Sequence, residues 1–157
     1  MRILAFESSA KAASVALTED GVLLGESFLN NGKTHSATLM PMAERLLSDC
    51  GVGAKELDCI AVAMGPGSFT GVRIGVAAAK GLAWAAEKPC CGVSTLEAMA
   101  RNVAHMDALV VCAMDARRSQ IYNALFTSEH GRLTRRTPDR AIGLAELAEE
   151  LRSEPLP

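Results

Sequence analysis

Short apolar runs dominate the first thirty residues, and their spacing predicts strands rather than helices. The runs at residues 3–6, 14–18 and 22–29 each have the length of a strand with one buried face. A Glu-Asp-Gly turn signal at residues 19–21 separates the second run from the third. The chain is therefore predicted to begin with a single strand that is followed by a β-hairpin.

From about residue 35 the apolar positions change to helical spacing. Residues 35–48 carry apolar side chains at the three- and four-residue intervals of one buried helix stripe. These positions are Leu39, Met42, Ala43, Leu46 and Leu47. Thr34 stands where a side chain caps a helix, and Pro41 is expected to kink the helix or tighten its first turns. A buried strand at 58–64 and a long Ala-rich helix at 72–86 are predicted next.

The rest of the chain predicts one more strand and helix, then two strands and a short amphipathic helix. In chain order these are a strand at 90–93, a helix capped by Ser94 that runs to about 104, strands at 108–114 and 119–127, and a helix at 144–151. The predicted element order is βββαβαβα followed by ββ and α.

This order is that of one lobe of the actin, Hsp70 and sugar-kinase class. The predicted fold class is therefore α/β, an actin-like ATPase or ribonuclease H-like lobe. The chain is predicted to form one complete N-terminal lobe at residues 1–105 and the start of a second at 106–157. About fifty residues are too few for a full second lobe, so a shortened chain or a fragment is expected.

Composition excludes several classes of function. The chain has 157 residues, 49% of them hydrophobic, and 16 basic residues against 18 acidic ones give a net charge of −2. That balance provides no global basic field for nucleic acid. Six arginines do cluster late in the chain, where they either contact RNA or are solvated. They are Arg117, Arg118, Arg132, Arg135, Arg136 and Arg140.

Five cysteines occur without any CxxC spacing, which argues against a disulfide framework and a zinc site. They are Cys50, Cys59, Cys90, Cys91 and Cys112. Cysteines in apolar strands act as small hydrophobic residues, and this usage is typical of a reducing compartment. No apolar run has the length of a membrane span. A cytoplasmic location without a membrane partner is predicted.

The segment 65–75 holds four glycines and a proline in eleven residues, between a predicted strand and a helix. Such a turn either brings bare backbone close to another surface or forms a tight structural corner. The G-x-S-x-G pattern of a nucleophile elbow is absent around Ser68. Ser68 or Thr70 is instead expected to cap the helix that follows.

Several segments, taken in order, resemble the bacterial TsaB (YeaZ) family, which is grouped with the M22 glycoprotease-like proteins. They are residues 3–9, 34–36, 39–41, 65–75, 92–96 and 115–117, together with Tyr122. The resemblance covers residues 2 to about 126, and the glycine-rich block is its most specific part. Family members usually are longer and complete a second lobe.

The resemblance implies a noncatalytic scaffold subunit without activity of its own. In the family, TsaB pairs with its paralogue TsaD and helps to recruit the ATPase TsaE. Together they transfer a threonylcarbamoyl group to adenosine 37 of tRNAs that read ANN codons. By this resemblance the expected partners are a TsaD-like paralogue and a TsaE-like ATPase, with tRNA contacted only within the complex.

The residues that match the metal-binding positions of the catalytic paralogue do not suit metal chemistry. The catalytic paralogue has a His-x-x-x-His pair, which places two imidazoles on one helix face. Thr95 and Met99 occupy the matching positions here, and a hydroxyl and a thioether are poor ligands for zinc or ferrous iron. No catalytic residue and no metal site are therefore predicted.

Nucleotide binding is the main alternative that the fold class raises. Its phosphate loops would contain Glu7, Ser8 and Ser9 after the first strand, and Asp115 after the 108–114 strand. Both loops carry a carboxylate that can orient hydrated Mg²⁺, although the family usually has Asp at the position of Glu7. No cofactor is predicted beyond weak or shared binding of ATP or ADP. An ATP-dependent phosphotransferase and an M22-type metallopeptidase are the alternative functions.

Two helices form the predicted partner surface, because small residues at helical spacing permit close helix approach. The residues assigned to it are His35, Leu39, Met42, Leu46, Gly71, Gly75, Ala78, Ala79 and Leu82. Pairing through helices 35–48 and 71–86 would form a four-helix bundle, either with the paralogue or as a homodimer of the chain alone. The competing interpretation is that these residues pack on the chain's own sheet.

Overall fold

The structure, a computed structural model, describes residues 1–153. The chain divides into two compact units, Met1–Val93 and a second unit that begins at Ser94. The sequence predicted a boundary at residue 105, which would leave the helix after Ser94 in the first unit. That helix instead packs against strands of the second unit, through Leu96 and Ala100.

The first unit is a five-stranded sheet with two helices. Its strands are β1 (Arg2–Glu7), β2 (Ala13–Glu19), β3 (Val22–Leu29), β4 (Cys59–Ala63) and β5 (Cys90–Val93), and its helices are α1 (His35–Asp49) and α2 (Phe69–Ala86). The strand order is β3-β2-β1-β4-β5. Strands β1, β4 and β5 are parallel, whereas β2 and β3 are antiparallel to their neighbours. The predicted opening strand and hairpin are confirmed.

Helices α1 and α2 cover the same face of this sheet and contact each other. Alternation along β1 places Leu4 and Phe6 on that face, opposite Leu17 and Val15 of β2 in the register. The predicted stripe of α1 is buried against these strands, as its spacing indicated. Neither helix covers the opposite face of this sheet.

Two details at the helix ends differ from the sequence prediction. Helix α2 begins at Phe69 rather than at residue 72, because the Ser68 hydroxyl accepts a hydrogen bond from the Gly71 N–H at 3.3 Å and caps the helix. Thr34 is the N-cap residue of α1, as predicted, but its side chain makes no capping hydrogen bond. Helix α1 continues through Pro41 to its end.

As far as residue 153, the second unit is a four-stranded antiparallel sheet with two helices. Its elements are α3 (Thr95–Arg101), β6 (Ala108–Arg117), β7 (Gln120–Glu129), β8 (Arg132–Arg135), β9 (Arg140–Gly143) and α4 (Leu144–Ser153). Strand β7 pairs with β6, and both β8 and β9 also pair with β7. Strands β8 and β9 were missed from the sequence because each is four residues long and lacks apolar alternation.

A hydrogen-bonded network links four elements of the second unit. Asn123 of β7 is fully buried, and its Nδ2 donates to the Cys112 carbonyl of β6 at 2.8 Å. Its Oδ1 accepts from Arg140 Nε at 3.1 Å and from Arg140 Nη2 at 2.9 Å. Arg140 of β9 also donates to Glu150 of α4. This network ties β9 and α4 to the central strand.

Replacement of Asn123 by Ala is expected to lower the free energy of unfolding by about 2 kcal/mol. The change leaves the buried Cys112 carbonyl without its donor and Arg140 without its amide acceptor. Urea denaturation measures the loss, with the exposed Asn30→Ala as control. A loss no larger than that of the control would show that the network contributes nothing to stability.

Candidate functional site

The glycine-rich segment 65–75 packs on the loop that joins β1 to β2 within the first unit. The Ser68 N–H donates to the Ser9 carbonyl at 2.6 Å, and the Ser8 hydroxyl donates to the Gly71 carbonyl at 2.9 Å. A Cβ added at Gly71 would lie 2.1 Å from the Ser8 carbonyl oxygen. Glycine is needed there because two backbones approach each other closely. The segment therefore acts as a structural corner of the first unit.

The end of β1 and the β1–β2 loop contain three of the residues predicted to contact phosphate, which are Glu7, Ser8 and Ser9. Ser8 and Ser9 are almost completely buried, and the Ser9 N–H donates to the Glu7 carboxylate. His35 of α1 places Nε2 2.9 Å from the Ala10 carbonyl, so that nitrogen carries the proton in this contact. The hydroxyl of Ser8 and the carboxylate of Glu7 thus hold the loop's own conformation. Phosphate binding by this loop stays a prediction.

Asp115, the remaining phosphate-loop residue, lies near the end of β6 in the second unit. Its Oδ1 accepts a hydrogen bond from the Arg117 N–H at 2.7 Å. Arg117, Arg118 and Ser119 follow with φ angles of 64°, 51° and 61°, in the left-handed region that residues other than glycine seldom adopt. Asp115 therefore stabilises an unusual turn between β6 and β7, and its role toward phosphate also stays a prediction.

Thr95 and Met99, which the sequence analysis matched to the metal-binding pair of the catalytic paralogue, lie on α3. Thr95 is buried, and among residues 1–153 its hydroxyl is a buried side-chain oxygen that has no hydrogen-bond partner. Met99 is partly exposed. In the described part of the chain, His, Cys, Asp and Glu side chains form no group of three or more that could hold a metal ion. No helix within residues 1–153 is both long enough and apolar enough to cross a membrane.

The structure buries most residues of the predicted partner surface inside the first unit. Those in its core are Leu39, Met42, Leu46, Gly71, Gly75 and Ala79. His35, Ala78 and Leu82 are half-buried. These positions hold the two helices on their own sheet, which is the competing interpretation raised by the sequence. A partner that docked on these helices would chiefly contact their exposed positions.

The outer stripe of α2 consists of Phe69, Arg73, Ala77 and Trp84, all of them exposed. Phe69 is 76% exposed, and Trp84, the single tryptophan of the chain, is 86% exposed. The Arg73 guanidinium lies 4.9 Å from the centre of the Phe69 ring, a cation–π contact. The sequence analysis missed this stripe. Helical periodicity could have identified it, because these positions lie opposite the buried glycines.

The outer stripe of α1 lies beside that of α2, because the two helices contact each other on one sheet face. It consists of Ala37, Met40, Pro41 and Glu44, all of them exposed. The two stripes together form a surface with large apolar side chains, here called the outer helix surface. Trp and Arg are typical of the side chains that dominate binding energy at protein interfaces.

Strand order and helix placement define the class of protein. A sheet ordered β3-β2-β1-β4-β5, with α1 and α2 on one face, is the α/β lobe of the ribonuclease H-like, actin-like ATPase class. This fold class was predicted from the element order and is confirmed. A solved structure, YeaZ from Pseudomonas aeruginosa, agrees with a TM-score of 0.82 and 32% sequence identity. That match covers 90% of this chain and 67% of the other.

Sequence comparisons then identify the family. A family model described as "TsaD: tRNA N6-adenosine threonylcarbamoyltransferase" matches residues 24–154. The TsaB protein of Bacillus subtilis is 40% identical over 100% of this chain, which covers 69% of that protein. The TsaB protein of Escherichia coli is 36% identical over 96% of this chain, which covers 65% of its length. The chain belongs to the TsaB family, as the resemblance indicated.

Proposed function

We propose that this chain is a noncatalytic subunit of the machinery that forms threonylcarbamoyladenosine in tRNA. The curated relatives from B. subtilis and E. coli are named tRNA threonylcarbamoyladenosine biosynthesis proteins. The observation that carries the proposal is the outer helix surface, where the only tryptophan is 86% exposed. A large exposed aromatic side chain beside apolar neighbours is typical of a docking surface.

The partner that we propose for this surface is a TsaD-like paralogue. The family model that matches residues 24–154, and so both helices, is that of TsaD, which supports a paralogue with a similar helix pair. Two such helix pairs can pack as a four-helix bundle about a pseudo-two-fold axis. By the same geometry the chain forms a homodimer when the paralogue is absent. The TsaE-like ATPase and tRNA then join the assembled complex.

Charges on the outer helix surface are compatible with a two-fold contact. The α2 stripe exposes the basic residue Arg73, whereas the α1 stripe exposes the acidic Glu44. In an isologous contact each copy presents the same surface, so each copy offers both positive and negative side chains to the other. Charges at the rim of an interface chiefly affect its specificity and association rate.

Glu7 and Ser8 support the noncatalytic part of the proposal. Two side chains that were predicted to contact phosphate already have hydrogen-bond partners in the first unit. The Glu7 carboxylate accepts from the Ser9 N–H, and the Ser8 hydroxyl donates to the Gly71 carbonyl. The loop conformation depends on these bonds, so a ligand would have to displace them. We therefore place the chemistry of the reaction on the paralogue rather than on this chain.

Reconstitution tests the proposed function. The full chain, the TsaD-like and TsaE-like proteins of the same cell, threonylcarbamoyl-adenylate, ATP and tRNA are combined, and each protein is then omitted in turn. We expect modified tRNA only when all three proteins are present, and none from this chain alone. Full-rate modification without this chain, or turnover by the purified chain, would reject the proposal.

A further inference from the structure

Two cysteines that are distant in sequence lie side by side on the first sheet. Cys59 begins β4, and Cys91 is the second residue of β5. The strands are parallel with Ile60 opposite Cys90, so the two thiols meet diagonally across the strand pair. Their Sγ atoms are 3.6 Å apart. Alternation along each strand places both thiols on the sheet face that α1 and α2 do not cover.

We propose that Cys59 and Cys91 are a modification site that forms a reversible disulfide with glutathione disulfide as the oxidant. The sulfur atoms already touch, and a disulfide requires them to approach to about 2.05 Å. Cys90 is next to Cys91 in sequence but alternates to the opposite sheet face, so it does not share the contact. Sequence spacing does not identify this pair, because only the strand register brings the two thiols together.

Exposure sets the order of the reaction. Cys91 is exposed, and its thiolate attacks one sulfur of glutathione disulfide, which forms a mixed disulfide and releases one glutathione thiolate. Cys59 is half-buried, and burial raises the pKa of its thiol, so it reacts second. After losing its proton to solvent, Cys59 attacks the Cys91 sulfur and releases the second glutathione. Two thiols are oxidised and one glutathione disulfide is reduced.

The disulfide would link the edge strand β5 covalently to its neighbour β4. Strand β5 is the last strand in the order β3-β2-β1-β4-β5, and within residues 1–153 it pairs only with β4. A bond from Cys59 to Cys91 closes a loop that contains all of α2, and such a closure restricts the unfolded chain. The outer helix surface is on the other side of the sheet. The proposal therefore does not depend on the proposed function, and either can fail alone.

Peptide mapping tests the site. The full native chain is incubated with glutathione disulfide, alkylated, digested with trypsin and analysed by mass spectrometry. We expect an intramolecular link between the peptide of Cys59 and that of Cys91, lighter by two hydrogen atoms than the sum of the two peptides. The melting temperature of the oxidised chain should rise by about 5 °C, and reduction should reverse the rise.

Three variants make the result specific. Cys90→Ser should keep the link, whereas Cys59→Ser and Cys91→Ser should abolish it. Cys90 is the matched control, because it is the sequence neighbour of Cys91 and lies on the opposite face of the sheet. A link that forms equally well through Cys90, a stable glutathione adduct at Cys91 without a link to Cys59, or only intermolecular disulfides would each overturn the proposal.

Discussion

Replacement of Gly71 by Ala is expected to lower the free energy of unfolding of the first unit by about 3 kcal/mol. The new Cβ would lie 2.1 Å from the Ser8 carbonyl oxygen, far inside normal contact distance. Relief requires movement of a backbone atom in a buried loop, and the Ser8 hydroxyl also binds the Gly71 carbonyl. This loss of stability is large for a substitution that adds a single methyl group.

Gly81→Ala is the matched control in the same helix. Gly81 is exposed, and a Cβ there meets nothing within 4 Å. Alanine has the higher helix propensity, so this change should stabilise the unit by about 0.5–1 kcal/mol. Urea denaturation of both variants measures the contrast. If Gly71→Ala loses less than about 1 kcal/mol, the corner is looser than its contacts indicate.

Gly75 provides a further check on the same corner, because its obstacle is a side chain. A Cβ at Gly75 would lie 2.3 Å from the Ser8 hydroxyl oxygen. Ser8→Ala removes that oxygen, so it should partly rescue Gly75→Ala in a double-mutant cycle. The same change should not rescue Gly71→Ala, where the obstacle is the Ser8 carbonyl. Equal rescue of both variants would contradict this assignment of the contacts.

Trp84→Ala is expected to weaken binding of the TsaD-like paralogue about 30-fold, the effect of losing about 2 kcal/mol at an interface hot spot. Trp84 is 86% exposed on the outer stripe of α2, so its removal should leave the first unit's core intact. Isothermal titration measures the affinity. Light scattering of the chain alone should show a shift from dimer toward monomer.

Phe28→Ala is the matched control for this surface. Phe28 of β3 is 63% exposed but lies opposite Ser14 in the register, on the sheet face away from α1 and α2. Its removal should leave both affinity and dimer mass unchanged. Because Trp84 is the only tryptophan, its fluorescence should also shift to shorter wavelength as the wild-type chain dimerises. Equal binding by both variants would reject the outer helix surface.

The sequence predicted elements whose patterns are locally complete. The stripe from Leu39 to Leu47 predicted α1, and Ser68 was correctly named as one of two possible caps of α2. Strands β8 and β9 were missed, because four-residue strands are stabilised by their pairing with β7 rather than by their own side chains. Thr34 is at the N-cap as predicted but makes no side-chain capping bond, since residue type alone does not specify side-chain geometry.

The candidate site was harder to predict, because its residues come from separate elements. Gly71 and Gly75 were identified as sites of close approach, but the sequence left open whether the approach was to a partner or to the chain itself. The position of Ser8 decides this in favour of the chain itself. Burial of that face then directs Trp84 outward, which small-residue spacing did not reveal.

The sequence by itself determined the family, the fold class and the element order of the first unit, because these depend on motifs and on hydrophobic periods that each segment carries within itself. Only the tertiary structure decided which helix faces are buried, what the Ser8 hydroxyl binds, and that Cys59 touches Cys91. Those features arise from strand register and from the packing of helices on the sheet. Both join residues that are distant in sequence, and no local pattern specifies such contacts.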